Sequence, residues 1–411
     1  MDTGNTAFIL LAAAMVFLMT PGLAFFYGGL GRRKNVINTM MMVVTPIAIA
    51  GSLWVICGYS LSFSGQGALL GNLGHLFLDN VSFSNSSLGN SISDLTFSAF
   101  QMMFSIITIA ILTGSVAGRM RFTPLMIFMA IWLLLVYYPL AHMVWGGGLL
   151  YDWGALDFAG GDVVHISSGV AGLVLALLVG KRRDYHQLDY RPHNIPFVLL
   201  GTGLLAFGWF GFNAGSALAA DGVAVHAFMA TMLSGAMGMF SWICLESCLV
   251  GRPSLVGAST GLIAGFVAIT PGAGYVPLWA ALLMGLLVSP ICYVAIAHLK
   301  VKFGYDDALD AFGCHGVGGI FGGLMTALFT SPDLTPEKGN FGLLFGSSHL
   351  LWATLGAMLL TVVWSALATY VIAKVIGKWM PLRVSDRDEA IGLDDSEHEE
   401  TAYPTFMGLD S

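Results

Sequence analysis

Few ionisable side chains interrupt the apolar stretches of this 411-residue chain: Asp157, Asp310, His142, His165, His226, Glu246, His315 and His349. Inside hydrocarbon such groups are costly, and by default they mark a pathway or a relay. Two of the histidines lie in matching settings, Asp157-Phe-Ala-Gly-Gly…His165 and Asp310-Ala-Phe-Gly-Cys-His315. If the two settings are repeats of one another, His165 and His315 converge on the axis between them. A neutral imidazole there offers one donor and one acceptor, which suits it to guide a small polar solute or pass a proton. Asp157 and Asp310 each precede a glycine-rich helix start and read as N-caps, carboxylates that accept orphan backbone N–H groups and complement the helix dipole. His142, His226 and His349 have no symmetry mate and read as structural.

Aromatic residues form a second set. Phe100 and Phe104 are spaced i, i+4, Trp145 precedes three glycines, and Phe212 sits in Gly208-Trp-Phe-Gly-Phe-Asn-Ala-Gly-Ser216. Such spacing usually means packing or an interfacial belt. The functional alternative is a cation–π site for a small cation, with the Ser216 hydroxyl as a hydrogen-bond partner. Enzyme-like patterns do not survive their context. Gly257-Ala-Ser259-Thr-Gly261 fits a nucleophile elbow, but that motif needs a strand before it and Ser259 lies in an apolar helical run. Gly201-Thr-Gly203-Leu-Leu-Ala206 also lacks a preceding strand. The five cysteines show no zinc-type spacing and are expected to be buried small hydrophobes. The expectation is a protein that is not an enzyme, with no metal and no cofactor; no basic patch suggests nucleic acid.

The elements that must position these residues are membrane helices. The chain is 56% hydrophobic and 10% charged, against about 25% charged for a soluble domain. Stretches near the length needed to cross a bilayer fall at 6–30, 37–61, 95–117, 123–145, 162–180, 195–217, 224–250, 254–271, 276–299, 311–330 and 346–376. The first lacks a basic segment before it, and Arg32, Arg33 and Lys34 follow it, so it reads as a retained span rather than a leader. Lysine and arginine cluster in alternate connections, and the other connections carry one basic residue, Lys338. The positive-inside rule then puts the N-terminus outside and the C-terminus in the cytoplasm. Five spans followed by five more run in opposite directions, an inverted repeat with its pathway at the interface, and an eleventh span is left over. Residues 1–380 read as the membrane domain and 381–411 as a cytoplasmic tail, where many of the acids behind the net charge of −7 collect.

Several ordered motifs give the chain its resemblance to a family. PGLAFFYGGLGRRKN at 21–35, FQMMF at 100–104, AHMVWGGG at 141–148, GALDFAGGDVVHISSG at 154–169, GWFGFNAGS at 208–216, ITPGAGY at 269–275 and HGVGGIFGG at 315–323 resemble the ammonium transporter family, and its microbial branch more than its Rhesus branch. The resemblance implies a multi-pass protein of the cell's inner membrane, a homotrimer in lipid with a pore in each subunit, and NH4+/NH3 (or methylammonium as analogue) as the solute. By motif match Phe100, Phe104, Trp145 and Ser216 resemble an external recruitment site, Phe104 and Phe212 a phenyl gate, His165 and His315 the twin histidines of the pore, and Asp157 the aspartate that supports recruitment. The tail residues Gly392, Asp394, Glu397, His398 and Tyr403 resemble a docking segment for a PII-type signalling protein, and some relatives carry a sensor output module instead. Glu399 departs from the pattern, because the family usually has glycine there and a positive φ is expected. The expected mechanism is recruitment of NH4+, deprotonation near Phe104 and Phe212, and passage of NH3 along the imidazoles, because a dry pore excludes any ion that must stay charged. The alternative is an ammonium sensor with little net flux.

Overall fold

The structure is a computed structural model that describes residues 1–185, 190–335 and 340–403. Among these residues there are 11 helices long and apolar enough to cross a membrane: α1 Thr3–Leu30, α2 Arg33–Phe63, α3 Asp94–Val116, α4 Phe122–Asp152, α5 Gly161–Val179, α6 Ile195–Gly215, α7 Gly222–Leu249, α8 Leu255–Gly272, α9 Leu278–Phe303, α10 Phe312–Phe329 and α11 His349–Gly377. Two short helices follow, α12 Asp386–Ile391 and α13 Leu393–His398. The continuous helical run of α4 stops at Trp145, where three glycines intervene before a last turn at Leu149–Asp152. That break leaves the Trp145 ring at a helix end instead of inside a wall.

Helices α3 and α5 are the most enclosed, 83% and 78% buried, whereas α2 is 28% and α11 33% buried. The centre of the molecule is therefore α3 and α5 together with the helices they meet. The outer helices turn large apolar side chains such as Phe207, Phe240, Trp352 and Leu367 outward, as the hydrocarbon of a bilayer demands.

The halves interlock through their corresponding helices, α1 with α6 and α5 with α10. Small residues make this possible. A Cβ on Gly201 would lie 2.3 Å from the Phe26 nitrogen, and one on Gly169 would lie 2.4 Å from the Gly316 nitrogen. Both α5 and α10 open on a π-helical turn, Gly161–Ile166 and Phe312–Gly316, each carrying one of the paired histidines. The wider turn re-aims side chains and is a common signature of functional sites.

Two sequence expectations need correction. Asp310 does not cap α10. Asp307 does: one of its oxygens accepts the Phe312 and Gly313 N–H groups at 2.9 and 3.3 Å. Asp157 accepts the Asp162 and Val163 N–H groups at 2.8 and 3.3 Å, at the same offsets of five and six residues. Each capping aspartate thus stands eight residues before its histidine, so Asp307, not Asp310, is the repeat mate of Asp157. The cysteines are the second correction. Only Cys292 and Cys314 are buried; Cys57 is half-buried and Cys244 and Cys248 are exposed on the lipid-type surface of α7. A thiol is apolar enough to face hydrocarbon as readily as a core.

Candidate functional site

At one end of the bundle the break after Trp145 and the ends of α3 and α6 enclose a vestibule of about 340 Å³. Its wall includes Phe97, Gln101, Phe104, Trp145, Asp157 and Ser216. The Trp145 indole N–H donates to the Asp157 carbonyl at 2.8 Å, and its ring meets Phe104 edge-on at 6.2 Å. The Asp157 carboxylate does not offer itself to a ligand, because its oxygens accept four backbone N–H groups, from Gly160, Gly161, Asp162 and Val163. It fixes the loop that holds the indole. The Ser216 hydroxyl donates to the Phe212 carbonyl at 2.8 Å, which leaves its lone pairs facing the vestibule as acceptors. An aromatic face beside a hydroxyl acceptor is suited to a small cation that can donate hydrogen bonds.

Phe100 falls outside the vestibule wall. It is fully buried behind Phe104, ring centroids 4.9 Å apart, and packs against Gly215. Phe97 and Gln101 stand on the wall instead. The i, i+4, i+7 series Phe97, Gln101, Phe104 on α3 was the signal for that face.

Phe104 and Phe212 close the floor, with ring centroids 4.3 Å apart and both side chains buried. Beneath them lies a narrow lumen of about 70 Å³ bordered by Phe212, Ile107, Trp209, His165 and His315. Tyr27, Leu30, Val256, Thr260 and Asp310 also line it. The two imidazoles meet through their Nδ1 atoms at 3.2 Å. One shared proton between two Nδ1 atoms makes one ring the donor and the other the acceptor. Their Nε2 atoms then have opposite roles, one a bare lone pair and the other an N–H. His165 Nε2 is buried without a protein partner, and the ring stacks on Trp209 at 5.5 Å and Phe212 at 6.0 Å. A small polar molecule beside the imidazoles would therefore meet a donor and an acceptor among apolar neighbours such as Ile107, Trp209 and Phe212.

His142, His226 and His349 are not among the residues lining the vestibule or the lumen. His142 bonds the Ser62 and Gly67 carbonyls, His226 bonds the Val276 carbonyl, and His349 is exposed at the start of α11. Ser259 is buried within α8. Asp162, which the sequence reading passed over, is buried beside the Asp157 loop with its Oδ1 unpartnered.

The tail residues come together at the opposite end of the bundle. The α-helical part of α2, from Val36, begins without a cap from Asn35, and α4 without one from Arg121. The tail supplies both: Asp394 accepts the Asn38 N–H at 2.9 Å, and Glu397 accepts the Phe122 N–H at 2.9 Å. Leu393 N–H donates to the Asn35 side chain, His398 meets Asn38 Nδ2 at 3.0 Å, and the Tyr403 hydroxyl lies 3.1 Å from Asn194 and 3.2 Å from His193. Burial raises the Asp394 carboxyl pKa above its ordinary value, while the backbone N–H groups it accepts pull it down. Gly392 turns at φ 124° where a Cβ would strike the Lys34 carbonyl at 2.6 Å. Glu399 ends α13 in the left-handed region, φ 53°.

The chain is similar to known proteins over nearly its whole length. The Ammonium Transporter Family profile matches residues 7–403. An ammonium transporter of Bacillus subtilis (strain 168) is 46% identical over 407 residues, which cover 99% of this chain and 100% of that one. The crystal structure of Candida albicans Mep2 superposes with a TM-score of 0.90 at 31% identity, over 98% of this chain and 93% of that chain. A sensor Amt protein superposes with a TM-score of 0.89 at 28% identity, over 96% of this chain and 98% of that one.

Proposed function

The chain belongs to the ammonium transporter family, and on that premise we propose that it recruits NH4+ in the vestibule, hands its proton below the Phe104–Phe212 contact to the imidazole pair, and passes NH3 through the lumen while the proton moves along His165 and His315 to the inner solution, so that one charge crosses with each ammonia. The observation that carries this reading is the pair of spaces separated by two phenyl rings in contact. The outer space is lined by an indole, a phenyl ring and a hydroxyl, so it suits a cation. The inner one is narrow and mostly apolar, with the two neutral imidazoles at its middle and Asp310 toward its far end, so its middle suits an uncharged amine. Ammonium and potassium are similar in size and charge, but ammonium can lose a proton and potassium cannot. Burying an unpaired unit charge in such a lumen is prohibitive, so selectivity arises at the step where the charge is left behind.

Trp145, Phe104 and Ser216 form the recruitment site, with Phe97 and Gln101 beside them and Asp157 as the buttress of the indole. Phe100 supports Phe104 from behind. His165 and His315 are the transfer groups of the lumen. The vestibule faces outside and the tail lies in the cytoplasm, as the lysine and arginine distribution requires; a reporter fused after Tyr403 that read external would overturn this orientation. The membrane is the cell's inner membrane. The outward apolar faces are covered by lipid and by two further copies in a homotrimer, and the docked tail is the surface a PII-type protein would meet.

Recording currents from purified protein in a supported bilayer, ammonium against potassium, tests the reading. Flux selective for ammonium supports it. Saturable ammonium binding without flux would favour the second reading, a sensor, which the likeness to the sensor Amt protein keeps in play.

A further inference from the structure

The lumen ends on a carboxylate. Beyond His315 its wall includes Leu309, Asp310, Ala311 and Cys314. Asp310 adopts φ 61°, a left-handed conformation that few residues besides glycine, asparagine and aspartate enter. Three residues after Asp157 the other repeat has Gly160, at φ 125°, in the corresponding place. One repeat therefore fills its left-handed corner with a residue that has no side chain, and the other with an acid. The Asp310 side chain is 32% exposed although protein surrounds it, because what it opens onto is the lumen.

Its neighbours leave it available. Asp307 is committed to capping α10, and Asp306 holds Arg182 through hydrogen bonds of 2.6 and 2.8 Å. Among the described residues the hydrogen-bond partner of the Asp310 carboxylate is the Lys300 ammonium of α9, which also reaches the Asp307 carbonyl at 3.4 Å. Lys300 is thus a primary ammonium held by a carboxylate and a carbonyl at the end of a passage for ammonia. The other charged or titratable groups around Asp310 include Asp307 and Tyr305 before α10, Arg182 and Tyr185 after α5, Tyr27 on α1 and Cys314 on α10.

We propose that Asp310 and Lys300 form an inner ammonium site at which the transported species exchanges its proton. The step rests on the reading that neutral ammonia crosses the lumen. Ammonia arriving past His315 takes a proton that Lys300 delivers through the Asp310 carboxyl. An N–H bond of Lys300 breaks, an N–H bond of ammonium forms, and the lysine is left as a neutral amine. The ammonium departs from the Asp310 carboxylate into the inner solution, and Lys300, 18% exposed, takes a proton back from the same side. In reverse the neutral Lys300 amine accepts the proton. Burial, opposed by Lys300, sets the Asp310 carboxyl above its ordinary range, which suits a carboxyl that holds the proton in passing.

Proteoliposomes of the full chain separate this role from a structural ion pair. Ammonium flux is measured for the parent protein, Lys300→Arg, Lys300→Gln and Asp310→Asn at low internal buffer, with thermal stability in parallel. Arginine keeps the ion pair but does not deprotonate, so Lys300→Arg keeps the fold yet loses flux by about tenfold or more, the low end of what a positioned acid or base contributes. Raising internal MOPS at fixed pH restores flux to both Lys300 variants, because the buffer replaces the missing acid and base. Parental flux in Lys300→Arg, or a loss that internal buffer does not relieve, overturns the proposal. A parent protein that carries no ammonium would remove the transport reading itself, which is a different result.

Discussion

Phe104 and Phe212 lie with ring centroids 4.3 Å apart and planes 34° from parallel, and at that contact the vestibule ends and the lumen begins. Phe212→Ala should join the two spaces and admit water to the imidazoles. The expected result is a potassium current that the parent lacks, read in the same bilayer as the ammonium current. Phe212→Leu keeps an apolar plug and should stay selective. A potassium-tight alanine variant would place the barrier deeper, at the histidines.

Trp145 contributes both a ring face and the N–H bond to the Asp157 carbonyl. Removing the face in Trp145→Leu costs about 0.5–2 kcal/mol of cation binding, so apparent ammonium affinity should fall about two- to thirty-fold. Trp145→Phe keeps a face but not the N–H bond, and should lie between. Unchanged affinity in the leucine variant would make the indole an interfacial anchor.

The span limits were legible because bilayer hydrocarbon enforces length and composition, and each expected stretch overlaps one of α1 to α11. The histidine pair was legible because its two settings resemble each other. The capping aspartate Asp307 is masked in the sequence by Asp310, which stands closer to His315, because the true offset of eight depends on a left-handed corner that sequence does not display. Phe100 was misplaced for a related reason. An i, i+4 pair names two residues of one stripe, and only the neighbouring helices decide which edge of the stripe is hollow. The caps that Asp394 and Glu397 supply to α2 and α4 join residues hundreds of positions apart, and no local pattern reports them.

His165 and His315 share one proton between Nδ1 atoms. Replacing both by alanine should leave a folded protein whose ammonium current is stopped or sharply reduced, because the lumen then has no donor or acceptor at its middle. His165→Asp and His315→Glu should behave differently: a carboxylate there admits a cation, so current continues while potassium joins it. Full ammonium current in the double alanine variant would assign the pair a structural role.

The docked tail should loosen in acid. Burial, with the nearby charge of Arg33 adding to it, holds the His193 pKa below its ordinary 6.5, and the bond to the Gly31 carbonyl opposes the shift only in part. Tyr403 contributes to that enclosure through its hydroxyl and ring. With the tail docked the imidazole binds fewer protons than with the tail released. Docking therefore has its full strength above pH 6.5 and weakens as pH falls below it. Hydrogen exchange of residues 393–403 followed across this range should show the loss of protection, and His193→Gln should flatten it.

Glu399 is the position where tail chemistry and backbone conflict. It closes α13 at φ 53°, where a side chain costs about 1–2 kcal/mol that glycine avoids. Its neighbours hold it there: Glu399 N–H bonds the Asp395 carbonyl, Glu400 N–H bonds the Asp394 carbonyl, and Asp394 itself caps α2. Releasing the strain in Glu399→Gly should therefore tighten the docked tail, raising protection of 393–403 by roughly the five- to thirty-fold that this energy represents. Asp394→Ala removes the α2 cap, worth about 0.5–2 kcal/mol, and should loosen the same segment. If a PII-type protein docks on the ordered tail, its pull-down should strengthen in the glycine variant and weaken in the alanine one. Tight capture by the parent chain, unimproved by glycine, would show that the strain at Glu399 is already offset by the surrounding hydrogen bonds and does not limit the partner.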